Sequence, residues 1–194
     1  MTKQKDKKIK DLEKEIKKLR KIVHYDELTG LLNRRGFKES IATIFNEVLF
    51  YKKGKREKRK SIFIKDFSIL FIDVDGLKRV NDLYGHKKGD QILIMTAEAI
   101  KKNTRETDFL ARWGGDEFIA GLLGASESDS FRIAENIRKF LSKKVTLSIG
   151  IATLNSKYSL NEGLDQIISH ADKAMYVAKH KRGRNNTVKH SEIG

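Results

Sequence analysis

Two apolar, strand-like runs of the chain each lead into acidic residues. Residues 69–72 are continuously apolar and lead into the segment 73–75, which reads Asp-Val-Asp. Residues 109–113 lead through a Gly-Gly pair into Asp116 and Glu117. A continuous apolar run is typical of a central strand covered on both faces, and glycines between two strand-like runs predict a hairpin turn. The chain is therefore expected to bring carboxylates together at the ends of neighbouring strands.

The periodicity of the remaining residues predicts an alternation of helices and strands. Residues 145–153 have the composition of a further strand. Helical spacing of apolar residues recurs in the segments 41–48, 89–102, 128–141 and 164–178, the last after a capping-box pattern at Ser159 and Glu162. This order favours the α/β (α+β) class, with a central mixed sheet surrounded by helices.

The beginning of the chain carries a heptad pattern. Apolar residues recur there at spacings of three and four, and charged residues fill most of the positions between them: Ile9, Leu12, Ile16, Leu19 and Val23. So narrow a seam favours an N-terminal coiled-coil helix that pairs with a second copy of the chain. A helix that packs against its own domain is the alternative.

Composition excludes several classes of protein. The 194 residues carry a formal net charge of +15 and no cysteine, which excludes disulfides and zinc held by cysteine. The lack of cysteine suits a cytoplasmic protein, and no apolar run approaches the roughly 20 residues of a membrane span. The basic runs at 1–21 and 52–60 fit either an anionic partner or solvated surface. Neither run has interleaved aromatic residues to stack bases, so nucleic acid is not an expected partner.

The acidic segments favour a divalent metal site. Asp73 is the expected ligand from the first strand, whereas Asp75 is expected to point elsewhere and make a structural bond. Asp116 and Glu117 would approach from the hairpin, and close carboxylates repel one another unless a cation joins them. Oxygen ligands favour Mg²⁺ or Mn²⁺ over zinc. The alternatives are an Asp that caps a helix and an ordinary acidic hairpin tip.

The segment after the first strand has features of a nucleotide site. If Gly76, Leu77 and Lys78 begin a helix, its free N–H groups form a site for phosphates. Asn81 and Asp90 carry hydrogen-bonding groups that match the Watson–Crick edge of guanine. Alternatively, Asp90 caps a helix that begins after Gly89, and the nearby His86 is structural.

Several motifs, in order, resemble the GGDEF family of diguanylate cyclases. They lie at 26–35, 73–82, 84–90, 114–118 and 183–185, with Ala178-Lys179 shortly before the last. The namesake motif alone would be a weak signal, but these motifs at family-like separations make a highly specific match. The resemblance covers about residues 24–190, which leaves an N-terminal helix at 1–23 and a tail at 191–194.

The resemblance implies a central five-stranded mixed sheet, similar to polymerase palms and class III nucleotide cyclases. It implies an enzyme that condenses two GTP molecules into cyclic di-GMP and releases pyrophosphate. Because each domain would hold one GTP, two domains must face each other in a homodimer. The heptad helix would hold the two domains near each other, and an upstream sensor module or partner would supply the signal.

The resemblance also implies roles for individual residues. The expected ligands of Mg²⁺ or Mn²⁺ are Asp73, the Val74 carbonyl, Asp116 and Glu117. Asp116 would help to deprotonate the attacking 3′-hydroxyl, and Lys78 would stabilise the transition-state charge. The expected substrate contacts are Gly76, Leu77, Asn81, His86, Asp90, Lys179 and Arg184. The expected inhibitory product site comprises Arg105, Asp108 and Arg112.

Other functions stay open at this point. One alternative is a catalytically silent module that senses GTP or cyclic di-GMP. Another is a nucleic-acid enzyme with a palm-like core, although the chain leaves little room for domains that hold a template. Arg105 and Asp108 also fit an exposed ion pair of no functional importance.

Overall fold

In the computed structural model, a mixed sheet is surrounded by helices. The structure describes residues 8, 9, 15, 22–52, 64, 66–142, 144–154, 163–181 and 183–193. The strands are β1 (Leu32–Asn33), β2 (Phe67–Val74), β3 (Phe109–Gly114), β4 (Glu117–Leu123), β5 (Leu147–Thr153) and β6 (Thr187–Lys189). The helices are α1 (Arg34–Lys52), α2 (Leu77–Tyr84), α3 (His86–Asn103), α4 (Glu127–Leu141) and α5 (Gly163–His180), and a short 3-10 helix spans His190–Glu192. The predicted α/β class is confirmed.

Strand β2 is the centre of the sheet. The strand order is β1-β3-β4-β2-β5-β6, and β2 runs antiparallel to both of its neighbours. All its residues are buried, as the continuous apolar run predicts. Leu70 and Ile72 pack into a core with α3 and α4, and Ile69 and Phe71 pack into a second core with α1 and α5. The two cores fix β2, and therefore its acidic end, between two layers of helices.

The sheet has six strands rather than the predicted five. The edge strands β1 and β6 contain only two and three residues, too few to show an alternating pattern in the sequence. Each pairs in parallel with its neighbour, β1 with β3 and β6 with β5. The predicted hairpin is confirmed as β3 and β4, with an irregularity in the pairing between Arg112 and Gly114.

The predicted helix at 89–102 begins earlier, at His86, and a separate helix, α2, precedes it. Gly85 separates the two helices with φ 79° and ψ 161°, a conformation that is accessible to glycine and strained for other residues. Asp90 therefore lies inside α3, and the alternative that it caps this helix is wrong.

Some predictions fall largely outside the described residues. Of the heptad seam, Ile9 and Val23 are described, and both are exposed; pairing through this seam stays a prediction. Residues 53–60 of the second basic run and the capping box of Ser159 and Glu162 also lie outside the described part. Among the helices that are described, none is long and apolar enough to cross a membrane.

Candidate active site

The two acidic segments meet at the end of β2. Asp73 lies opposite Glu117 in the antiparallel pairing of β2 with β4. The N–H of Val74 donates a hydrogen bond of 3.0 Å to the Asp116 carbonyl, which holds the hairpin turn against the end of β2. The structure thus brings together Asp73, Val74, Asp116 and Glu117, as the sequence predicts. Asp75 is separate, since its carboxylate accepts hydrogen bonds from Ser148 Oγ at 2.8 Å and from the Asn185 N–H at 3.1 Å.

Burial and mutual repulsion make this cluster a poor place for uncompensated negative charge. Asp73 is only 2% exposed, and burial, together with the neighbouring charge of Asp116, raises its pKa despite a hydrogen bond from Lys179. Burial also raises the pKa of Glu117, and the charges of Asp172, Asp116 and Asp73 raise it further. A bound cation would relieve both penalties.

The donor set fits Mg²⁺ or Mn²⁺. Asp73 Oδ1 is buried and accepts no hydrogen bond from the described residues, so the cluster contains an acceptor without a partner. Within the described part of the chain, no three His, Asp or Glu side chains are arranged to hold a metal ion by themselves. An ion here would therefore need further oxygens, which a backbone carbonyl and nucleotide phosphates provide.

Lys179 supplies the nearest cation. Its ammonium group donates a 2.7 Å hydrogen bond to Asp73 Oδ2, whereas the sequence led us to expect Lys179 beside the phosphates. Helix α5 carries Lys179 to this position because it packs tightly on β5 at Gly150. A Cβ on Gly150 would collide with the backbone of Ala171 and Met175.

The segment after β2 has an open helix N-terminus. Gly76 adopts φ 73° and precedes α2, and no side chain caps the helix there. Leu77 is buried in the core, so only its backbone is available to a ligand, whereas Lys78 is exposed. Arg184 is also exposed, with φ 65°, in the loop whose next residue binds Asp75.

The three residues predicted to contact the base lie around the junction of α2 and α3. His86 and Asp90 are exposed and one turn apart on α3. Asn81 comes from α2, and its side chain packs against Gly89 of α3. The structure brings these three residues to one corner of the molecule.

The predicted product site is divided. Asp108 accepts hydrogen bonds from the N–H groups of Arg105, at 2.8 Å, and of Leu123, at 3.0 Å, so it also orders the turn before β3. Arg112 instead donates to the Gly115 carbonyl and to Asp26. Arg105 and Asp108 are therefore neighbours, whereas Arg112 contacts the hairpin turn and Asp26.

Sequence reasoning missed two residues near the acidic cluster. Arg34 stacks over the Trp113 ring at 4.7 Å, and both residues line two clefts of about 430 and 520 Å³. Asp172 lines the larger cleft with Glu117. A signal for Asp172 existed, because it lies seven residues before Lys179 and so on the same face of a helix. Arg34 lies in the motif at 26–35, but nothing in that motif pointed to a place near the acidic residues.

Comparison with known proteins identifies the family. The family model described as "Diguanylate cyclase, GGDEF domain" matches residues 23–186. The chain belongs to the GGDEF family. The match includes all the segments that form the acidic cluster, the helix N-terminus and the α2–α3 junction.

Curated relatives of this GGDEF chain are named as diguanylate cyclases. Diguanylate cyclase DgcM of Escherichia coli K12 is 34% identical over 172 residues, which cover 85% of this chain and 38% of the relative. Diguanylate cyclase A of Treponema denticola is 37% identical over 170 residues, covering 82% of this chain and 43% of the relative. The chain thus spans less than half the length of the curated relatives it matches.

Solved structures show the same architecture. The GGDEF domain of DgcB from Caulobacter crescentus, in complex with c-di-GMP, is 25% identical and superposes with a TM-score of 0.73, covering 87% of this chain and 94% of that one. The active GGEEF domain of a diguanylate cyclase from Vibrio cholerae is 27% identical, with a TM-score of 0.67, covering 82% and 97% of the two chains.

Proposed function

We propose that this GGDEF chain is a diguanylate cyclase that condenses two GTP molecules into cyclic di-GMP. In this reaction each 3′-hydroxyl attacks the α-phosphorus of the other GTP, and two pyrophosphates leave. The observation that carries the proposal is the buried, unpartnered Asp73 Oδ1 beside Asp116 and Glu117. The names of the curated relatives support the same reaction.

The cation-binding end of the site is formed by Asp73, the Val74 carbonyl, Asp116 and Glu117. These oxygens would hold Mg²⁺ or Mn²⁺, which when bound neutralises phosphate charge and polarises the phosphoryl group. Asp116, at the hairpin turn, accepts the proton of the attacking 3′-hydroxyl. The charge of Asp116 raises the pKa of Asp73, which supports a position for Asp116 among the metal ligands.

The remaining residues bind and orient the substrate. The N–H groups of Gly76 and Leu77 hold phosphates at the start of α2, while the exposed Lys78 stabilises the transition-state charge. Asn81, His86 and Asp90 contact the base. Lys179 and Arg184 reach the phosphates. With a divalent ion held by the carboxylates, Lys179 would leave Asp73 and bind the nucleotide.

Two copies of the domain are needed, because one domain presents one such site and the reaction joins two nucleotides. We place the two sites face to face in a homodimer, held near each other by the heptad helix. Arg105 and Asp108, with Arg112, bind the product and limit synthesis. Complexes of solved GGDEF domains with c-di-GMP support a product-binding role for this fold.

The test is incubation of the purified chain with GTP and MgCl₂, followed by chromatography and mass determination of the products. We expect cyclic di-GMP and pyrophosphate, and we expect Asp116→Asn to lower turnover by at least about 10²-fold, the contribution of a positioned base, without unfolding. Arg105→Ala should relieve inhibition by added product. Binding of GTP or cyclic di-GMP with no turnover would overturn the proposal in favour of a sensor module, and activity that depends on an added template would favour a nucleic-acid enzyme.

A further inference from the structure

The corner between α2 and α3 contains a glycine whose missing side chain makes room for Asn81. Gly89 is buried in the first turns of α3. A Cβ built on Gly89 would overlap Asn81 Oδ1 and lie 3.0 Å from its Cγ. The amide of Asn81 therefore occupies the space that any other residue at position 89 would fill.

This contact restricts where the Asn81 amide can lie. Asn81 Oδ1 is buried and accepts no hydrogen bond from the described residues. Buried oxygens without partners are uncommon, and here the packing against Gly89 holds this one in place. The Asn81 amide is thus confined at this corner, with its oxygen packed against α3.

The chain path at this corner depends on a second glycine. Gly85, with φ 79°, lets α3 turn back on α2, so that Gly89 comes to lie against Asn81. The exposed His86 and Asp90 then flank the same corner from α3.

We propose that Gly89 is a positioning residue for base recognition, acting through Asn81. This inference rests on the proposed function, because it assumes that Asn81 contacts guanine. Gly89 itself touches no substrate. Its role is to leave the space in which the Asn81 amide is held in one orientation.

Replacing Gly89 by alanine should disturb the amide more than the fold. The colliding atom is the end of a side chain, which can rotate away, and alanine is favoured over glycine inside a helix. Gly89→Ala should thus remain folded, with the Asn81 amide displaced.

The experiment measures the dissociation constants of 3′-deoxy-GTP and 3′-deoxy-ATP by calorimetry with Mg²⁺, since these nucleotides lack the attacking hydroxyl. Four proteins are compared: the wild type, Gly89→Ala, Asn81→Ala and the double variant. Gly89→Ala should weaken binding of the guanine nucleotide by about tenfold, the loss expected for one hydrogen bond in a buried site. The preference for guanine over adenine should fall with it.

The double variant separates positioning from a general disturbance. If Gly89 acts through Asn81, adding Gly89→Ala to Asn81→Ala should change neither affinity nor preference. Gln91→Ala, an exposed change on the same helix, should bind like the wild type.

Two results would overturn the inference while leaving the proposed function intact. One is a Gly89→Ala protein that keeps the wild-type affinity and preference. The other is an equal loss from Gly89→Ala in the presence and absence of Asn81. Failure of the wild type to bind 3′-deoxy-GTP would instead overturn the proposed function and this inference together.

Discussion

Lys179 is the residue on which the charge balance of the acidic cluster depends. It forms the ion pair with Asp73, whose side chain is only 3% exposed, while that of Lys179 is 25% exposed. Removing one partner of such a pair leaves a buried charge without compensation. Lys179 and a divalent ion would thus fulfil the same electrostatic requirement at Asp73.

Lys179→Met should destabilise the chain in the absence of divalent ions. We expect a loss of about 2 kcal/mol in the free energy of unfolding measured in EDTA, below the value for fully buried pairs because Lys179 is partly exposed. Added Mg²⁺ should then stabilise the variant more than the wild type, because binding to the folded state raises stability. Lys173→Met, an exposed change on the same helix, is the control. Equal stability of the wild type and Lys179→Met in EDTA would show that Lys179 does not compensate the charge of Asp73.

Asp172 provides a pH-dependent test of the same cluster. Partial burial raises the pKa of Asp172 above its ordinary value of 3.8, so the folded state binds its proton more tightly than the unfolded state does. The wild type therefore loses stability as the pH rises above about 3.8, a penalty that asparagine does not have. Asp172→Asn should be more stable than the wild type at pH 7, and this difference should shrink toward pH 4. Denaturant unfolding in EDTA measures it, and a difference that grows on acidification would refute the assignment.

At the scale of elements, the sequence predicted the parts of the fold that depend on long, regular patterns. The continuous apolar run of β2 and the Gly-Gly turn identified the central strand and the hairpin, and their antiparallel register places Asp73 beside Glu117. The break between α2 and α3 was missed, because it depends on the conformation of one glycine, Gly85. The Lys179–Asp73 pair joins residues 106 positions apart and follows from helix packing that no local pattern records.

Packing of α5 on β5 positions Lys179, and Gly150 is the point of closest approach. Gly150→Ala should force α5 away from the sheet, since the added Cβ meets backbone atoms of Ala171 and Met175 that cannot rotate aside. We expect destabilisation of about 1–3 kcal/mol, typical of overpacking, measured by denaturant unfolding. Gly114→Ala is the matched control, because a Cβ there would meet nothing within 4 Å. Indistinguishable stabilities for the two variants would show that α5 is not held by this contact.

At the scale of the whole molecule, the proposed reaction requires two domains, and the heptad helix is the segment that would keep them near each other. Deleting residues 1–22 should lower the turnover per domain at low protein concentration, because the domains must then meet by diffusion. The loss should shrink as the concentration rises. Turnover measured against concentration for the two proteins tests this, and superimposable curves would rule out a role for the helix in pairing.

In the proposed site, Asp73 and Asp116 come from two adjacent strands and together hold one divalent ion with a guanosine triphosphate. Electron paramagnetic resonance of Mn²⁺, titrated in the presence of 3′-deoxy-GTP, measures this directly. We expect about one ion per domain in the wild type and in Asp75→Asn, whose carboxylate makes structural bonds, and an affinity at least about tenfold lower in Asp73→Asn and Asp116→Asn. Unchanged Mn²⁺ affinity in both of the latter variants would show that these two carboxylates do not hold the ion.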